Sequence, residues 1–317
     1  MGQKGGLRLD VLSIILIVVA LAVAAFQMLP QVHFSVLYAL GRSPVCPYDL
    51  AMKAGDMIHA HVAMEERILA ESRLLQTDER GHEFWQTPEG SYWIPSGEKE
   101  TLSSILAEIK RHVYGSGENG IQPGDVVIDC GAHVGSYTRQ ALAAGAKLVV
   151  SVEPSPVNAE ILRRNLADEI AAGRVIVYQK GVWNEESSLP FYVDPSNSAG
   201  SSFVFEEHAG HGHGTVEEAS IVEVPLTTID ALVTELGLEK VDFIKMDIEG
   251  AEQNALRGAV QTLKTFRPRL AIASYHVVDD QFRIPELVQA ARNDYQMNCG
   301  PCGEREMTIL PHTLLFR

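Results

Sequence analysis

The sequence predicts an α/β protein built on a Rossmann-like, mostly parallel sheet. After Gly124, short apolar runs alternate with helical patterns, and several of these runs end in turns that contain glycine or acidic residues. Strand–helix alternation of this kind favours a parallel sheet with right-handed crossovers. In front of this region, a long apolar run near the N-terminus predicts a membrane-spanning helix.

Composition limits the classes of partner. The chain has 317 residues, of which 46% are hydrophobic, and this is enough to bury a sizeable core. Its net charge is −15, with 41 acidic against 26 basic residues and no dense basic run. Because an acidic surface repels phosphate backbones, no nucleic-acid partner is expected. The four cysteines are too few for a disulfide scaffold. The sequence does not indicate an oligomeric state.

Residues 11–29 form the predicted membrane helix, and residues 1–40 the anchor segment. Only Ser13 and Gln27 interrupt the run with polar side chains, and as a helix it would reach about 28 Å, close to the thickness of a bilayer core. A cleaved signal peptide is the alternative, since Ala22-Val23-Ala24 resembles a cleavage site. A second apolar stretch, residues 32–40, follows Pro30 and favours a retained anchor.

The charges around the anchor predict which side of the membrane the rest of the chain occupies. Lys4 and Arg8 precede the apolar run, and Arg42 is the first basic residue after it. This bias predicts a cytoplasmic N-terminus and an exported catalytic domain. Use of a cofactor made in the cytoplasm would require the opposite placement, and we expect the main domain of this single-pass protein on the cytoplasmic side.

Residues 41–120 are predicted to form a helical and hairpin extension, and residues 121–317 the main domain. The extension has helical patterns at residues 48–75 and 102–114, and a hairpin at residues 84–94. Strands are predicted at residues 126–130, 148–152, 175–178, 243–246 and 270–274, with helices in three of the gaps and a hairpin at the C-terminus. Ser155 and Pro156 suit the start of one helix, and Gly173 its end. Residues 195–220, rich in Gly, Ser and His, predict a loop.

The first strand of the main domain ends in a glycine-containing turn. Asp129 closes the strand, and Gly131, His133 and Gly135 follow it. Glycines let a ligand approach the backbone, and the start of the next helix offers free amide donors. The spacing is not GxGxxG, so a nicotinamide oxidoreductase is disfavoured and a small zwitterionic nucleoside cofactor fits better.

The next strand ends are acidic. Glu153 follows the second strand, where a carboxylate can accept hydrogen bonds from both ribose hydroxyls of a nucleoside. Asp247 follows the fourth strand, with Lys245, Glu249 and Glu252 around it. This acid has three possible roles: it faces the reaction centre, it holds a metal, or it caps the following helix. No metal site is assigned.

Four motifs in order resemble the FkbM-type methyltransferase family: DCGAHVGSYT, VEPSPVNAEILRRN, VPLTTID and DFIKMDIEGAEQNALRG. The resemblance covers the chain from about Trp93 to its end, without the anchor. It implies a class I methyltransferase fold, S-adenosylmethionine as cofactor, and methylation of a hydroxyl on a sugar or small metabolite. It also implies that Asp129, Gly131 and Gly135 line the methionine end, that Glu153 binds the ribose, and that Asp247 adjoins the reaction centre. Members of the family often carry Asn where this chain has His133.

His276 follows the fifth strand and is a candidate general base. Imidazole titrates near neutral pH and can take a proton from an attacking hydroxyl. The alternative is a histidine that only hydrogen-bonds a loop. Trp183 follows the third strand, where it either stacks on adenine or packs in the core.

Two further motifs are interpreted as non-catalytic. His208, His211 and His213 match no closed metal-site spacing and are interpreted as part of a loop that covers the substrate. Cys299 and Cys302 have the spacing of a redox motif, but they fall after the last helix, in the predicted turn of the terminal hairpin.

The sequence therefore predicts an S-adenosylmethionine-dependent O-methyltransferase. Its acceptor would be a small molecule or glycan, possibilities that include a lipid-linked sugar near the membrane. Asp129, Gly131, His133, Gly135, Glu153, Trp183 and Asp247 are the predicted cofactor-binding residues, and Asp247 and His276 the predicted catalytic ones. The alternatives are an N-methyltransferase of a protein or amine, and a catalytically silent, membrane-anchored cofactor-binding module.

Overall fold

The computed structural model of the protein describes residues 10–194, 197–203 and 220–317. The histidine-rich stretch with His208, His211 and His213 lies outside these residues, as do Lys4 and Arg8.

The N-terminal segment is helical, as predicted. Helix α1 (Val11–Met28) begins after Asp10, whose carboxylate accepts a hydrogen bond from the amide of Ser13 at 2.7 Å. Its length and hydropathy suffice to cross a membrane, and none of it is buried; a signal sequence would pass the same test. Pro30 begins α2 (Pro30–Ala39), which packs through Phe34 and Leu37 against α3 (Tyr48–Glu71).

The extension contains a small antiparallel sheet of β1 (Arg73–Thr77), β2 (Glu83–Thr87) and β3 (Gly90–Ile94), followed by α4 (Lys99–Lys110). The predicted hairpin is confirmed. The predicted helix at residues 48–75 is too long, because its last residues form β1 and pair with β2. Helix α4 begins before residue 102 and ends before Tyr114. The extension shares a buried cluster with the main domain, in which Ile68 and Leu102 pack with Val134 and Ile161.

The main domain alternates strands and helices. In chain order its elements are β4 (Val126–Cys130), α5 (Ser136–Ala143), β5 (Leu148–Val152), α6 (Pro156–Asn165), α7 (Ala167–Ala171), β6 (Val175–Tyr178), β7 (Gly181–Val182), β8 (Ser187–Val193), β9 (Ser220–Thr227), α8 (Ile229–Glu235), β10 (Phe243–Met246), α9 (Glu252–Arg257), α10 (Val260–Phe266), β11 (Arg269–Ala273), α11 (Asp280–Ala291), β12 (Met297–Cys299), β13 (Cys302–Arg305), β14 (Thr308–Pro311) and β15 (Thr313–Phe316).

Seven of these strands form the central sheet, in the order β12-β15-β11-β10-β4-β5-β6. The five strands from β11 to β6 run parallel, and β15 is antiparallel to both of its neighbours. Strands β4 and β10 are buried along their whole length, since helices cover both faces of the sheet. This is the predicted Rossmann-like architecture. It brings the carboxyl ends of β4, β5 and β10 to one edge of the sheet.

Helix α6 begins at the residues predicted to start it. The Ser155 hydroxyl accepts a hydrogen bond from the amide of Asn158, and Pro156 occupies the first turn. The helix ends earlier than predicted, at Asn165, and the short α7 continues towards Gly173, which has a φ of 69°. A separate sheet, in the order β7-β9-β8, was not predicted.

The predicted C-terminal hairpin is wrong in one respect. Cys299 and Cys302 do not form the turn of a hairpin: β12 pairs with β15 in the central sheet, whereas β13 pairs with β14. Cys302 forms a disulfide with Cys46, which precedes α3, and the described Cys130 and Cys299 are free. The disulfide therefore links the N-terminal helical segment to the C-terminal hairpin β13–β14.

We expect Cys46→Ser and Cys302→Ser to lower the free energy of unfolding of the full-length protein by about 2–4 kcal/mol, because the bond closes a very long loop and restricts the unfolded chain. Cys299→Ser is the matched control, since it leaves the bond intact, and it should unfold nearly as the parent does. Peptide mapping without reduction checks the pairing. Alkylation of Cys46 in the unreduced protein would contradict it.

Candidate functional site

A cavity of about 380 Å³ lies at the carboxyl ends of the parallel strands. This volume falls within the range of about 300–1,000 Å³ typical of small-molecule sites. The turns after β4, β5 and β10 line one side of it, α4 lines another, and residues 197–201 with the β7–β9–β8 sheet line a third. The extension is therefore part of the wall of the cavity.

The turn after β4 approaches the turn after β10 so closely that only glycine fits. Gly131 has a φ of 77°, and a Cβ atom there would lie 1.9 Å from the backbone oxygen of Asp247. Gly135, with a φ of 90°, caps α5, and a Cβ there would lie 2.9 Å from Leu166. Both glycines are required by packing and backbone conformation, and Gly131 also lines the cavity.

His133 lines the cavity beside Gly131. Its backbone amide donates a hydrogen bond to Oε2 of Glu153 at 2.8 Å, and its Nε2 lies 2.9 Å from the hydroxyl of Ser198. Burial, and then the charge of Lys245, lower the pKa of His133 to about 4. The ring is therefore neutral at physiological pH and contributes polarity to the cavity without charge.

Glu153 is held by backbone amides at the end of β5. Its Oε1 accepts a hydrogen bond from the amide of Ser155 at 2.9 Å, while Oε2 accepts the bond from His133. Burial raises the pKa of Glu153 to about 7, although these hydrogen bonds oppose the shift. A carboxylate offers about four lone-pair sites, so acceptor capacity remains for a ligand in the cavity.

Beneath the cavity, a buried ion pair joins β4 to β10. Asp129 and Lys245 are register partners on the two strands, and Nζ of Lys245 lies 3.5 Å from Oδ1 of Asp129. The same ammonium donates to the backbone oxygens of Cys130 and Gly131 at 3.3 and 2.9 Å. Burial alone would lower the pKa of Lys245, but the carboxylates of Asp129 and Asp247 outweigh it and raise the pKa. The carboxylate of Asp129 is therefore occupied by the ion pair with Lys245 and by a hydrogen bond from the hydroxyl of Thr138 at 2.7 Å.

A cluster of acids and one histidine forms the far end of the cavity. Nδ1 of His276 lies 2.9 Å from Glu252, and Nε2 lies 3.5 Å from both Asp247 and Glu249. Burial alone would lower the pKa of His276, but Glu249 and Glu252 outweigh it and raise the pKa well above the usual value. A charged imidazolium has no lone pair to accept a proton. His276 can therefore act as the predicted general base only after it has lost this proton.

Asp247 remains charged in this cluster. Burial would raise its pKa, but Lys245 and His276 outweigh burial and lower it. The hydroxyl of Tyr114 donates to Oδ2 of Asp247 at 2.5 Å. Tyr114 follows α4, so the extension reaches the acidic end of the cavity directly.

Helix α4 contributes a polar stripe that sequence reasoning missed. Thr101, Ser104 and Glu108 recur at helical spacing and all line the cavity. Burial, and then the charge of Asp247, raise the pKa of Glu108 to about 8. From the sequence this stripe is indistinguishable from a solvent-facing side of an amphipathic helix.

The aromatic side chains that line the cavity differ from the predicted one. Phe191 and Phe203 line the cavity together with Val182. Trp183, the predicted adenine contact, does not line it; its ring packs at 6.1 Å from that of Phe203. Strand β7 turns Val182 towards the cavity, and the next side chain along a strand points away.

The predicted site residues thus divide into two groups. Gly131, His133, Glu153 and Asp247 line the cavity. The remaining four lie behind it or beside it: Asp129, Gly135, Trp183 and His276. Asp129 and His276 still touch lining residues, through Lys245 and Asp247 respectively.

A mostly parallel sheet with helices on both faces, and a cavity at the carboxyl ends of its strands, define a Rossmann-like protein. Residues 129–297 match the Methyltransferase FkbM domain, which is more than half of the chain. The chain therefore belongs to the FkbM methyltransferase family. Membership implies a methyl donor of the S-adenosylmethionine type.

Curated relatives share this region. Methyltransferase sdnD of Sordaria araneosa is 30% identical over 154 residues, which are 42% of this chain and 59% of the relative. The 31-O-demethyl-FK506 methyltransferase FkbM of Streptomyces tacrolimicus is 27% identical, over 50% of this chain and 68% of its own. The 2-O-methyltransferase NoeI of Sinorhizobium fredii (strain NBRC 101917 / NGR234) is 25% identical, over 63% of this chain and 78% of the relative. The chain thus spans less than two thirds of sdnD.

We expect Gly131→Ala to lower the thermal unfolding midpoint and to abolish binding of S-adenosylhomocysteine, because the new methyl group would collide with the Asp247 backbone. Gly237→Ala is the matched control: Gly237 has a φ of 60° and open space around its Cβ position. Both substitutions should lower the free energy of unfolding by about 1–2 kcal/mol, because alanine is strained in the left-handed backbone conformation. Equal destabilisation of the two, with binding retained, would show that the close approach is unimportant.

Proposed function

We propose that the protein is an S-adenosylmethionine-dependent O-methyltransferase that acts on a hydroxyl of a sugar, a lipid-linked glycan or a small metabolite. The observation that carries this proposal is Glu153. It is a buried carboxylate at the end of the second parallel strand, held by two backbone amides, with acceptor capacity left on the side of the cavity.

The cavity residues fit the cofactor from end to end. Glu153 would accept hydrogen bonds from the ribose hydroxyls, and Phe191, Phe203 and Val182 offer an apolar surface for adenine. The turn that contains Gly131 also lines the cavity and would contact the methionine moiety through its backbone. The carboxylates of Glu108, Asp247 and Glu249 in the same cavity favour a ligand with a positive sulfonium.

The acceptor would occupy the end of the cavity between α4 and the turn after β10. Tyr114, Glu108, Asp247 and Glu249 meet there. Carboxylates and a phenol suit the many hydroxyls of a sugar, since each carboxylate oxygen can accept from a hydroxyl donor. Two of the relatives, the 31-O-demethyl-FK506 methyltransferase FkbM and the 2-O-methyltransferase NoeI, are named for methylation at oxygen.

S-adenosylmethionine supplies an electrophilic methyl group on a sulfonium, and the protein must align the acceptor oxygen with it and remove the hydroxyl proton. Tyr114 and Asp247 would orient the acceptor. Glu108 would take the proton in its ionised form: it lines the cavity, and although a pKa of about 8 makes the carboxylate the minor form at neutral pH, that carboxylate is more basic than an ordinary glutamate. His276 would act through Asp247, which its charge keeps ionised.

The alternatives differ in their products. An N-methyltransferase would give a methylated amine, whereas a silent binding module would bind the cofactor without turnover on any acceptor. Mass spectrometry of glycans and metabolites from a strain that lacks the gene would show the loss of an O-methyl group if the proposal is correct.

We expect S-adenosylhomocysteine to bind the full-length protein about tenfold more weakly at pH 6 than at pH 8, measured by calorimetry. The pKa of Glu153 is raised to about 7, so its carboxylate is the minor form at pH 6 and loses acceptor capacity for the ribose. Glu153→Gln should bind weakly at both pH values and lose most of this pH dependence.

Absence of binding to folded protein would overturn the proposed function. Binding that is equally tight in Glu153→Gln would remove Glu153 from the ribose site while leaving the cofactor in place.

We also propose that α1 anchors the protein in a membrane. If so, the full-length chain stays in the membrane fraction after alkaline extraction, and its intact mass includes residues 1–29. A soluble product that lacks these residues would identify a cleaved signal sequence instead. Reporter fusions after Arg317 determine the side of the membrane. The cytoplasmic placement expected from cofactor supply is opposed by the flanking charges and by the Cys46–Cys302 disulfide, which is typical of oxidising compartments.

A further inference from the structure

Three potential metal ligands converge at the acidic end of the cavity. Asp247 and Glu249 come from the turn after β10 and line the cavity, and His276 follows β11. One ligand atom from each lies within 4.8 Å of the other two. Nε2 of His276 is 3.5 Å from Oδ1 of Asp247 and 3.5 Å from Oε2 of Glu249. Carboxylate and imidazole together suit a first-row divalent cation.

These distances are those of ligands around a cation. A separation of 3.5 Å is long for a strong hydrogen bond between charged groups, which is about 2.7–2.9 Å. Ligand atoms about 2.1 Å from one ion are about 3.0–3.4 Å apart in octahedral or tetrahedral geometry. The two separations from His276 are thus within a few tenths of an ångström of ligand spacing, whereas the oxygens of Asp247 and Glu249, which lie within 4.8 Å of each other, would move closer together around an ion.

The histidine is oriented as a ligand. Its Nδ1 lies 2.9 Å from Oε1 of Glu252, a residue with no exposed surface. Glu252 is itself fixed, because it accepts hydrogen bonds from the amides of Ile248 at 2.9 Å and Gly250 at 3.0 Å. A carboxylate on Nδ1 directs Nε2 towards the other two acids, which is the usual carboxylate–histidine–metal arrangement.

Asp247 is held in place as well, and the backbone at Glu249 is unusual. The hydroxyl of Tyr114 donates a hydrogen bond to Oδ2 of Asp247. Oδ1 of Asp247, on the side of His276, is buried without a hydrogen-bond partner among the described residues. Glu249 has a φ of 53°, a backbone conformation rarely adopted by residues other than glycine. Such strain is typical of functional turns, and here it accompanies the approach of Glu249 to His276.

We propose that Asp247, Glu249 and His276 bind a divalent cation, which displaces the proton of Nε2 of His276 to solvent and takes up the freed lone pair, with coordination positions left open towards the cavity. The role of the ion rests on the proposed function: it would hold an acceptor hydroxyl beside the methyl donor and make that hydroxyl easier to ionise. Binding of the ion itself does not depend on that function.

The test is Mn²⁺ binding to chelator-treated, untagged, full-length protein in detergent, followed by electron paramagnetic resonance. One Mn²⁺ per chain is expected, with nitrogen coupling from a directly bound imidazole in the spin-echo spectrum. Glu249→Gln and His276→Asn should each weaken binding at least about tenfold, and His276→Asn should lose the nitrogen coupling. Circular dichroism shows whether the variants are folded.

Two controls isolate the site. Glu100→Gln removes one negative charge from the same cavity outside the cluster, and it should bind Mn²⁺ as the parent does. A triple variant, His208→Ala with His211→Ala and His213→Ala, should keep the nitrogen coupling.

Absence of stoichiometric Mn²⁺ binding by the parent protein, or binding without nitrogen coupling, would overturn the cation site. Calorimetry with S-adenosylhomocysteine on the same samples separates the two proposals. Cofactor binding without Mn²⁺ binding rejects only the cation site, whereas Mn²⁺ binding without cofactor binding rejects only the proposed methyltransferase function.

Discussion

The site depends on the buried pair of Asp129 and Lys245. Burying two charges costs free energy, and it is tolerated only when both are paired and further hydrogen-bonded. Here Lys245 bonds the carboxylate of Asp129 and two backbone oxygens of the turn after β4, while Thr138 bonds the other oxygen of Asp129. The pair joins β4 to β10 where both strands end. The close approach of Gly131 to Asp247, and hence the floor of the cavity, rests on this junction.

The extension is a structural part of the site. Its helix α4 supplies the polar stripe that faces the strand ends, and Tyr114 hydrogen-bonds Asp247 from the segment that follows. On the other side, Glu98 at the start of α4 accepts hydrogen bonds from the amide and hydroxyl of Ser198 at 2.9 and 2.7 Å. The same helix thus holds the segment around residues 197–201 over the cavity. Any change in the packing of α4 would alter both the acceptor end and this cover.

Negative charge is distributed unevenly along the cavity. Glu153, after β5, is only partly ionised near neutral pH, and His133 beside it is neutral. After β10, Asp247 is ionised and His276 is charged, so the cluster depends on compensation between acids and a cation. A bound metal ion or a sulfonium would supply positive charge beside Asp247. The disulfide between Cys46 and Cys302 lies apart from this chemistry and fixes the N-terminal helices to the C-terminal hairpin.

The sequence by itself determined the parallel sheet, the bounds of four of its five parallel strands (the fifth begins and ends one residue earlier than predicted) and the position of Glu153 and Asp247 at strand ends, because apolar runs and the turns that end them are local signals. It could not show that Asp129 faces Lys245, that Trp183 points away from the cavity, or that Cys46 meets Cys302, since each depends on which strands or segments become neighbours. It also could not distinguish the α4 stripe, with Glu108, from a solvent-exposed face. Only tertiary structure decided these points, because contact between residues distant in the chain is set by packing, which no local pattern encodes.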